Sequence, residues 1–384
     1  MYQVKWHDTL KTVPEAHWNR LVSDSNPFLE YAFLNALEQS GCVGANTGWQ
    51  PRYLTLWQDR TLSGAAAAYL KWDSFGEYIF DHAWADAYMR AGLEYYPKLL
   101  VAVPFTPVNG ERLLVAPDVP DGDTIKLRLA EAFQSYAKDN DLSSVHILFC
   151  TLEEQSLLHD RADYARRLST QYHWINRDYG SFDDYLADLR SARRKQIKKE
   201  RRQVHAHSLT IDRLTGDDIK PEHMEAMWSF YMDTGNRKWG SPYLNRVWFD
   251  LIHAQFRDRM LLVMARDSTG RYVAGTLNFY KGAHLYGRYW GCREYYPGLH
   301  FELCFYQLIE FAIERKMLLF EAGAQGEHKF LRGFATRPCH SVHWFRHPEG
   351  QRAIRDFLKQ EEAHVATAIE RMNSVSPLKH LRTS

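Results

Sequence analysis

The chain has 384 residues, 45% of them hydrophobic and 25% charged, an ordinary globular composition and enough chain for two cores at roughly 100–200 residues per domain. Lysine plus arginine (48) nearly balance aspartate plus glutamate (47), giving a formal net charge of +1; this excludes a surface coated in positive charge for indiscriminate nucleic-acid binding but leaves room for a local basic patch. No apolar run reaches the roughly 18–20 residues that span a bilayer, the N-terminal MYQVKWHDTLKTVPEAHWNRLV lacks the features of a signal peptide, and the five cysteines, Cys42, Cys150, Cys292, Cys304 and Cys339, are scattered, so a cytoplasmic protein without a disulfide framework is expected.

Residues 14–40 read as a helical stretch, with Phe28, Tyr31, Leu34 and Leu37 at helical spacing and a stop near Gly41. PRYLTLW, the polar turn QDRT and LSGAAAAYLKW predict strand, turn, strand, and EYIFDHAW predicts a third extended segment. KLLVAVPF and GERLLVAP read as further extended chain, Ile125, Leu129, Phe133 and Ala137 as one face of an amphipathic helix, and SSVHILFC as a short buried strand. Between the halves, Phe182, Leu186, Leu189, Ile197 and Val204 are compatible with one long helix over 181–205, capped by Ser181 with Asp183 and Asp184 in its first turn. From Arg190 to Arg202, eight of thirteen residues are Lys or Arg, and only Glu200 offsets them.

The second half repeats the order of the first. A helix near 222–232 carries Met224, Met227, Trp228 and Tyr231 on one stripe; MLLVMAR and RYVAGTLNFYKG form a hairpin across DSTG; AHLYGRYWGC is a strand, 300–316 an amphipathic helix, and MLLFEAGA and HSVHWF are strands. Both halves thus read hairpin, third strand, helix, strand, which predicts an α/β (α+β) chain of two domains, 1–175 and 176–384, the second opening with the basic helix. A last helix covers QRAIRDFLKQEEAHVATAIERMN, and the final ten residues read as frayed.

Four segments hold chemistry-bearing side chains. The basic run suits a polyanion such as a nucleotide pyrophosphate, a tRNA backbone or acidic lipid; like charges at this density repel one another without a partner. In GRYWGCREYYPGLHFE, strand alternation places Arg288 and Trp290 on one face, just before a helix whose first turn carries Glu302. EAGAQGEHKFLRGF packs Glu327, His328, Lys329 and Arg332 among glycines after a strand: Glu327 or His328 suits a general base, Lys329 and Arg332 a phosphate or carboxylate. FYMDTGNRKWGSPYLN offers Trp239 and Tyr243 as a pocket wall or lid, and FDHAWADAY and PFTPVNGERLL hold a similar mix in the first half. No H-E-x-x-H, C-x-x-C or EF-hand loop is present, and LHFE with PCHSVH lacks the second cysteine of a zinc deaminase, so no metal is expected. Nucleophile elbows and Walker or Rossmann loops are absent too, which removes most kinases, ATPases and dehydrogenases.

HWNRLVSDSNPFLEYAFLNALEQSG, FDHAWADAY, PFTPVNGERLL, RRKQIKKERRQV, DTGNRKWGSPYL, GRYWG, LHFELCFYQLIEFAI and GAQGEHKFLRGF resemble the FemAB-like family of predicted N-acyltransferases (peptidoglycan biosynthesis/recognition) within the GNAT superfamily, from about Trp18 to about Leu358. The resemblance implies two tandem GNAT-like domains, each a mixed, largely antiparallel sheet flanked by helices, and a basic helix like that of relatives that draw amino acids from aminoacyl-tRNA. It departs from ordinary acetyltransferases in one respect: the interval CREYYPGLH lacks their Q/R-x-x-G-x-G/A pyrophosphate loop.

The expected function is therefore transfer of an acyl or aminoacyl group from acyl-CoA, an acyl carrier or aminoacyl-tRNA to a primary amine of a small molecule, peptide, lipid or peptidoglycan precursor, with no tightly bound cofactor. Glu327, His328 and Glu302 are the candidates for proton handling; Arg193, Arg194, Lys195, Lys198 and Arg201 for donor phosphates; Arg288, Lys329 and Arg332 for donor or acceptor; Trp239, Tyr243 and Trp290 for shaping the pocket. A single working site is expected, in the second half, with peripheral membrane contact an open option and the oligomeric state unassigned. The competing expectation is a non-catalytic binding protein for muropeptide or another polyanion.

Overall fold

The computed structural model describes residues 2–237, 242–323 and 326–379, apart from the side chains of 234–237 and of 327. The chain divides into two compact units, Met1–Thr170 with Pro338–Ala368 and Gln171–Arg337 with Ile369–Ser384. Residues 338–368 differ from the expectation, because they pack with the first unit.

In the first unit, β1 (Tyr2–His7), β2 (Tyr53–Gln58) and β3 (Thr61–Ala66) pair antiparallel, and Leu114–Val115 adds a short edge. The predicted hairpin is thus present. The helical stretch expected over 14–40 is instead two helices, Glu15–Asn19 and Tyr31–Gln39, separated by a turn in which Pro27 and Phe28 are buried. The chain continues through β4 (Ala68–Lys71), helix α1 (His82–Arg90), β5 (Lys98–Val101), helix α2 (Gly122–Asp139) and β6 (Ser144–Cys150). β5 lies between β4, antiparallel to it, and β6, parallel to it. Ile125, Leu129, Phe133 and Ala137 of α2 enter the core, as their spacing predicts. The third extended segment expected at EYIFDHAW is absent: residues 77–81 are loop and α1 comes next, because Trp84 and Tyr88 bury one helical stripe against Tyr95, Phe345 and Ile354.

The second unit is built on one mixed sheet. Its elements are the end of β7 (Ala165–Ile175), helices α3 (Phe182–Asp188) and α4 (Ser191–His205), β8 (Thr210–Thr215), helices α5 (Pro221–Arg237) and α6 (Arg246–Phe256), β9 (Met260–Arg266), β10 (Tyr272–Lys281), β11 (His284–Cys292), helix α7 (Gln307–Glu314) and β12 (Leu319–Glu321). Strand order is β8-β9-β10-β11-β12-β7, antiparallel except for the β11–β12 pair. The chain then leaves through β13 (Ala335–Phe345) and enters the helix α8 (Pro348–Ser374).

The single helix expected over 181–205 is broken in two. Leu189 takes an extended conformation and bridges to Leu378; Arg190 N–H donates to Pro377 O and Lys379 N–H to Asp188 O. Leu189 and Leu378 are both buried, so pairing with the chain end prevails over helix at that point. The same contacts overturn the expectation of a frayed tail as far as Lys379.

A bulge in β11 matters for the site. Leu277 pairs with Tyr289 but Asn278 pairs with Gly287, so Arg288 is the extra residue. A bulge shifts side-chain phase and re-aims the residues beyond it. Leu285 and Trp290 both pack on the cluster around α7, whereas Tyr289 meets Tyr231 of α5. The simple alternation that would pair Arg288 with Trp290 on one face therefore does not run through this strand.

Helix α5 approaches β11 closely because Gly291 has no side chain. A Cβ there would lie 2.1 Å from Phe230 O and 2.5 Å from its carbonyl carbon, and backbone atoms cannot step aside. Gly291→Ala is expected to lower stability by about 1–3 kcal/mol, the usual scale for overpacking. Gly122→Ala, whose Cβ would meet only Val115 at an ordinary 3.6 Å, is expected to leave stability unchanged or slightly raised. Urea unfolding of the two variants measures the contrast.

Candidate active site

Parallel strands β11 and β12 pair through His284–Leu319, Leu285–Phe320 and Tyr286–Glu321 only. Beyond that last pair β11 runs on to Cys292 while β12 ends at Glu321, and the parting point is lined by glycine: a Cβ on Gly287 would lie 3.2 Å from Phe320 and 3.7 Å from Ala322 Cα. Gly323, at φ +83°, sits 4.0 Å from Gly287 O by the same measure. Into this point comes Lys329. Its Nζ donates to Gly323 O at 2.8 Å and the residue is 4% exposed. Burial lowers its pKa to about 8, so the ammonium is held where it is poorly solvated, against the Gly323 carbonyl.

Lys329 stands on a turn, Glu327–Arg332, fixed by Arg332. The Arg332 guanidinium donates from Nε to Tyr306 Oη (2.8 Å), from Nη1 to His328 O (2.9 Å) and from Nη2 to both carboxylate oxygens of Glu200 (3.0 and 2.9 Å). Its central carbon lies 3.6 Å from the centre of the Phe301 ring. Tyr306 also donates to Glu200, and Tyr185 donates to Arg332 O. The expectation that Arg332 would bind substrate therefore meets a different geometry, in which Nε, Nη1 and Nη2 all donate to the protein itself.

Glu302 is similarly engaged. It is 1% exposed, and its carboxylate accepts from Arg201 Nε (3.1 Å), Arg201 Nη2 (2.9 Å) and Gln307 Nε2 (2.8 Å). Arg201 also donates from Nη1 and Nη2 to Glu310 (2.7 and 3.2 Å). Arg201 thus faces inward, away from the exposed cations of the helix, and Glu302 is a pin under α4. The segment Glu302–Tyr306 is a π-helical turn, which widens the helix where Tyr306 must reach Glu200; such turns recur at functional sites.

Of the remaining cations on α4 and its cap, Arg190, Lys195, Lys198, Lys199 and Arg202 are exposed and Arg193 and Arg194 half-buried. Arg193 donates to Gln196, and Lys198 lies 3.6 Å from Asp183. His328 sits among rings, with centroids 5.8 Å from His300, 5.7 Å from Phe301 and 5.6 Å from Phe305. Trp290 packs edge-on to His300 at 5.2 Å, which places it at the same end. The Arg288 guanidinium lies over the Tyr289 ring. Tyr243 is half-buried, while Trp239 and the Glu327 side chain lie outside the described residues.

Sequence reasoning missed several members. Glu200 was legible only as the lone acid in a basic run, and Tyr306 and Phe301 only as apolar helix positions. His173 and Glu321 are buried neighbours on the β7–β12 pair, 3.8 Å apart. Burial takes the His173 pKa down to about 3, so the imidazole is neutral and this contact is no ion pair. No group of three or more metal-binding side chains occurs among the described residues, and none of their helices is long and apolar enough to cross a membrane.

A family model described as peptidoglycan biosynthesis/recognition, FemAB-like, matches residues 9–380. No curated protein matches the sequence. Among solved structures, the chain is similar to L-PGS from Bacillus licheniformis (TM-score 0.52, 12% identity, covering 87% of this chain and 95% of that one). It is similar to FemX (0.53, 11%, 93% and 100%). It is similar too to the C-terminal domain of a putative lysylphosphatidylglycerol synthetase from Agrobacterium fabrum (0.53, 8%, 90% and 95%). At these identities the likeness is one of fold.

Removing one partner of a buried ion pair leaves the other charge stranded, at about 3–5 kcal/mol. Arg332→Met is therefore expected to cost about 3 kcal/mol or more in urea unfolding. Glu200→Gln should cost less than Arg332→Met, because its side chain is partly solvated. The double variant should cost clearly less than the sum, which a double-mutant cycle reads directly.

Proposed function

From the premise that this chain belongs to the FemAB-like family, and is an acyl- or aminoacyl-transferase of two tandem GNAT-like domains, we propose that it carries an aminoacyl group from tRNA to a primary amine. The observation that carries this reading is the mounting of the basic helix. Arg201 is turned inward to Glu302 and Glu310, and most other cations of the run point to solvent. At 1.5 Å per residue the fifteen residues of α4 span about 22 Å. A row of charge of that length matches a stretch of RNA backbone better than the single diphosphate of a coenzyme. The missing Q/R-x-x-G-x-G/A pattern supports the same choice.

The chemistry is aminolysis of an ester. The acceptor ammonium loses a proton, its nitrogen attacks the ester carbonyl carbon, the C–N bond forms, and the C–O bond to the ribose breaks, the ribose oxygen leaving with a proton. Positive charge is needed where the carbonyl oxygen becomes an oxyanion, and Lys329 supplies it at the mouth between β11 and β12. His328 is the proton acceptor of this reading: it adjoins Lys329 in the turn, and Arg332 holds its carbonyl. Glu302 and Arg332 are positioning residues. The family description favours a peptidoglycan-precursor amine as acceptor.

Three charge reversals on α4, Lys195→Glu, Lys198→Glu and Lys199→Glu, should weaken tRNA binding and reduce the slope of log K against log salt by about two units, as filter binding at several salt concentrations would show. Turnover of an acyl-CoA with no binding of charged tRNA would overturn the donor assignment. Lys329→Met should lower kcat by about 10²–10³ while tRNA affinity holds. Because the Lys329 ammonium is present below about pH 8 and lost above it, kcat in the wild-type protein should fall as pH rises through about 8.

A further inference from the structure

The first unit holds a buried ionic cluster that the transfer reaction leaves unused. Lys98 on β5 is fully buried, and its three protons go to Glu77 Oε2 (2.9 Å), Asp81 Oδ2 (2.5 Å) and Ser74 Oγ (2.9 Å). Tyr95 donates its hydroxyl to the same Asp81 oxygen at 2.6 Å. The other oxygen of each carboxylate, Glu77 Oε1 and Asp81 Oδ1, is buried and has no hydrogen-bond partner among the described residues, in side chains whose residues are 4% and 3% exposed. Buried polar atoms almost always have a partner, so each orphan asks for one.

The charges do not balance either. Lys98 is one cation against two carboxylates. Lys71, the next cation, is bound to Asp73 Oδ1 (3.2 Å) and Phe75 O (3.0 Å). His146 and His343 stand alongside, joined Nδ1 to Nδ1 at 2.6 Å, but burial lowers both pKa values, that of His146 to about 3, and neither adds charge. Arg167 lies over the outer ring of the group, Trp84, 4.6 Å from its centre, and is bound to Glu361. Protonating Glu77 would even the charge count, but no donor among the described residues reaches Asp81 Oδ1. Water would supply hydrogen bonds but no charge.

We propose that this cluster binds the ammonium group of a small primary amine, held between Glu77 Oε1 and Asp81 Oδ1. An ammonium brings the missing charge and the missing donors together. The walls suit it: Lys98 itself lies 5.4 Å from the centre of the Tyr95 ring and 5.6 Å from that of Tyr96, the aromatic surroundings that cations favour. Ser74 and Tyr96, both half-buried, join hydroxyls at 2.8 Å over Lys98 and form its cover. The loop from which Ser74, Glu77 and Asp81 come also carries Trp72, Phe75 and Phe80 to the surface, 50%, 52% and 64% exposed, apolar contact area for the carbon chain of the amine. The inference goes beyond the transfer reading and does not rest on it.

Burial pushes the Glu77 carboxyl up to about 7, against the pull of Lys98 and Lys71 and with the help of Asp81. Burial also raises Asp81, but Lys98 outweighs it and the net shift is downward. Glu77 is therefore the group that gains or loses the proton near neutrality, and the site takes an ammonium best when it is ionised. Binding of n-butylamine and L-lysine to the full chain, followed by ligand-observed NMR and calorimetry, should tighten about tenfold from pH 6 to pH 8, since alkylamines stay protonated throughout; n-butanol should not bind. Glu77→Gln should weaken binding at least tenfold and flatten its pH dependence. Lys329→Met should leave amine binding unchanged while removing transfer, which separates a failure here from a failure of the aminoacyl-transfer reading. Equal binding of butanol and butylamine, or no binding of either amine at pH 8, would overturn the proposal and leave ordered water at the orphaned oxygens. Should Glu77→Gln not fold, the wild-type pH profile and the butanol comparison decide by themselves.

Discussion

Arg332 is the side chain on which the second unit's site depends. A buried guanidinium is costly unless its donors are met, and here they are met by a hydroxyl, a backbone carbonyl and a carboxylate, with an aromatic ring against its face. The planar fork makes this possible. A lysine at the same place would carry a point charge and could not span Tyr306, His328 O and Glu200 together. The arrangement fixes the backbone of the turn that bears His328 and Lys329, so the lysine that reaches Gly323 is held by a residue whose own donors are all spent on the protein.

Glu200 gives that network its reach. It lies on the basic helix, and its neighbour Arg201 is tied to Glu302 and Glu310. Two consecutive residues of α4 therefore bind inward, Glu200 to Arg332 and Tyr306 and Arg201 to Glu302 and Glu310, while Lys195, Lys198, Lys199 and Arg202 remain at the surface. A helix with so many like charges is unfavourable in isolation. Here it is held in place from below by complementary charge, and on its outer face Asp183 stands near Lys198 while most of the cations stay exposed. The surface that would meet the donor and the turn that would act on the ester are thus connected through one side chain, Glu200.

How much could be read from the sequence depends on how local each determinant is. The two hairpins were legible because alternation and turn residues sit within a few positions of one another, and α2 and α5 because their apolar stripes repeat at helical spacing. The break at Leu189 was not legible, since it is set by Leu378 near the far end of the chain. EYIFDHAW misled because Tyr78, Ile79 and Phe80 form a short apolar run that reads as extended chain; burial of Trp84 and Tyr88 with Tyr95 and Phe345 decided for a helix. At the candidate site, Arg201, Glu302 and Arg332 look identical in sequence to solvent-facing groups until their long-range partners are known. The bulge at Arg288 leaves no mark in the sequence, because it is a mismatch of register between two strands.

The contrast between the two buried charge networks says what each can do. Around Arg332 and Arg201, the cations and the carboxylates of Glu200, Glu302 and Glu310 are matched by hydrogen bonds in both directions, and such a closed group rigidifies its surroundings and leaves nothing for a ligand. Around Lys98 the match is incomplete: two carboxylates share one ammonium, and an oxygen of each is left without a donor. A fold could have removed this imbalance by replacing Glu77 with an amide or an apolar side chain of similar volume, an exchange that costs little once a charge is already poorly solvated. Keeping an ionisable group there, beneath a loop that also exposes three large apolar side chains, incurs a cost in stability that packing does not explain. A cation arriving from solution would offset that cost.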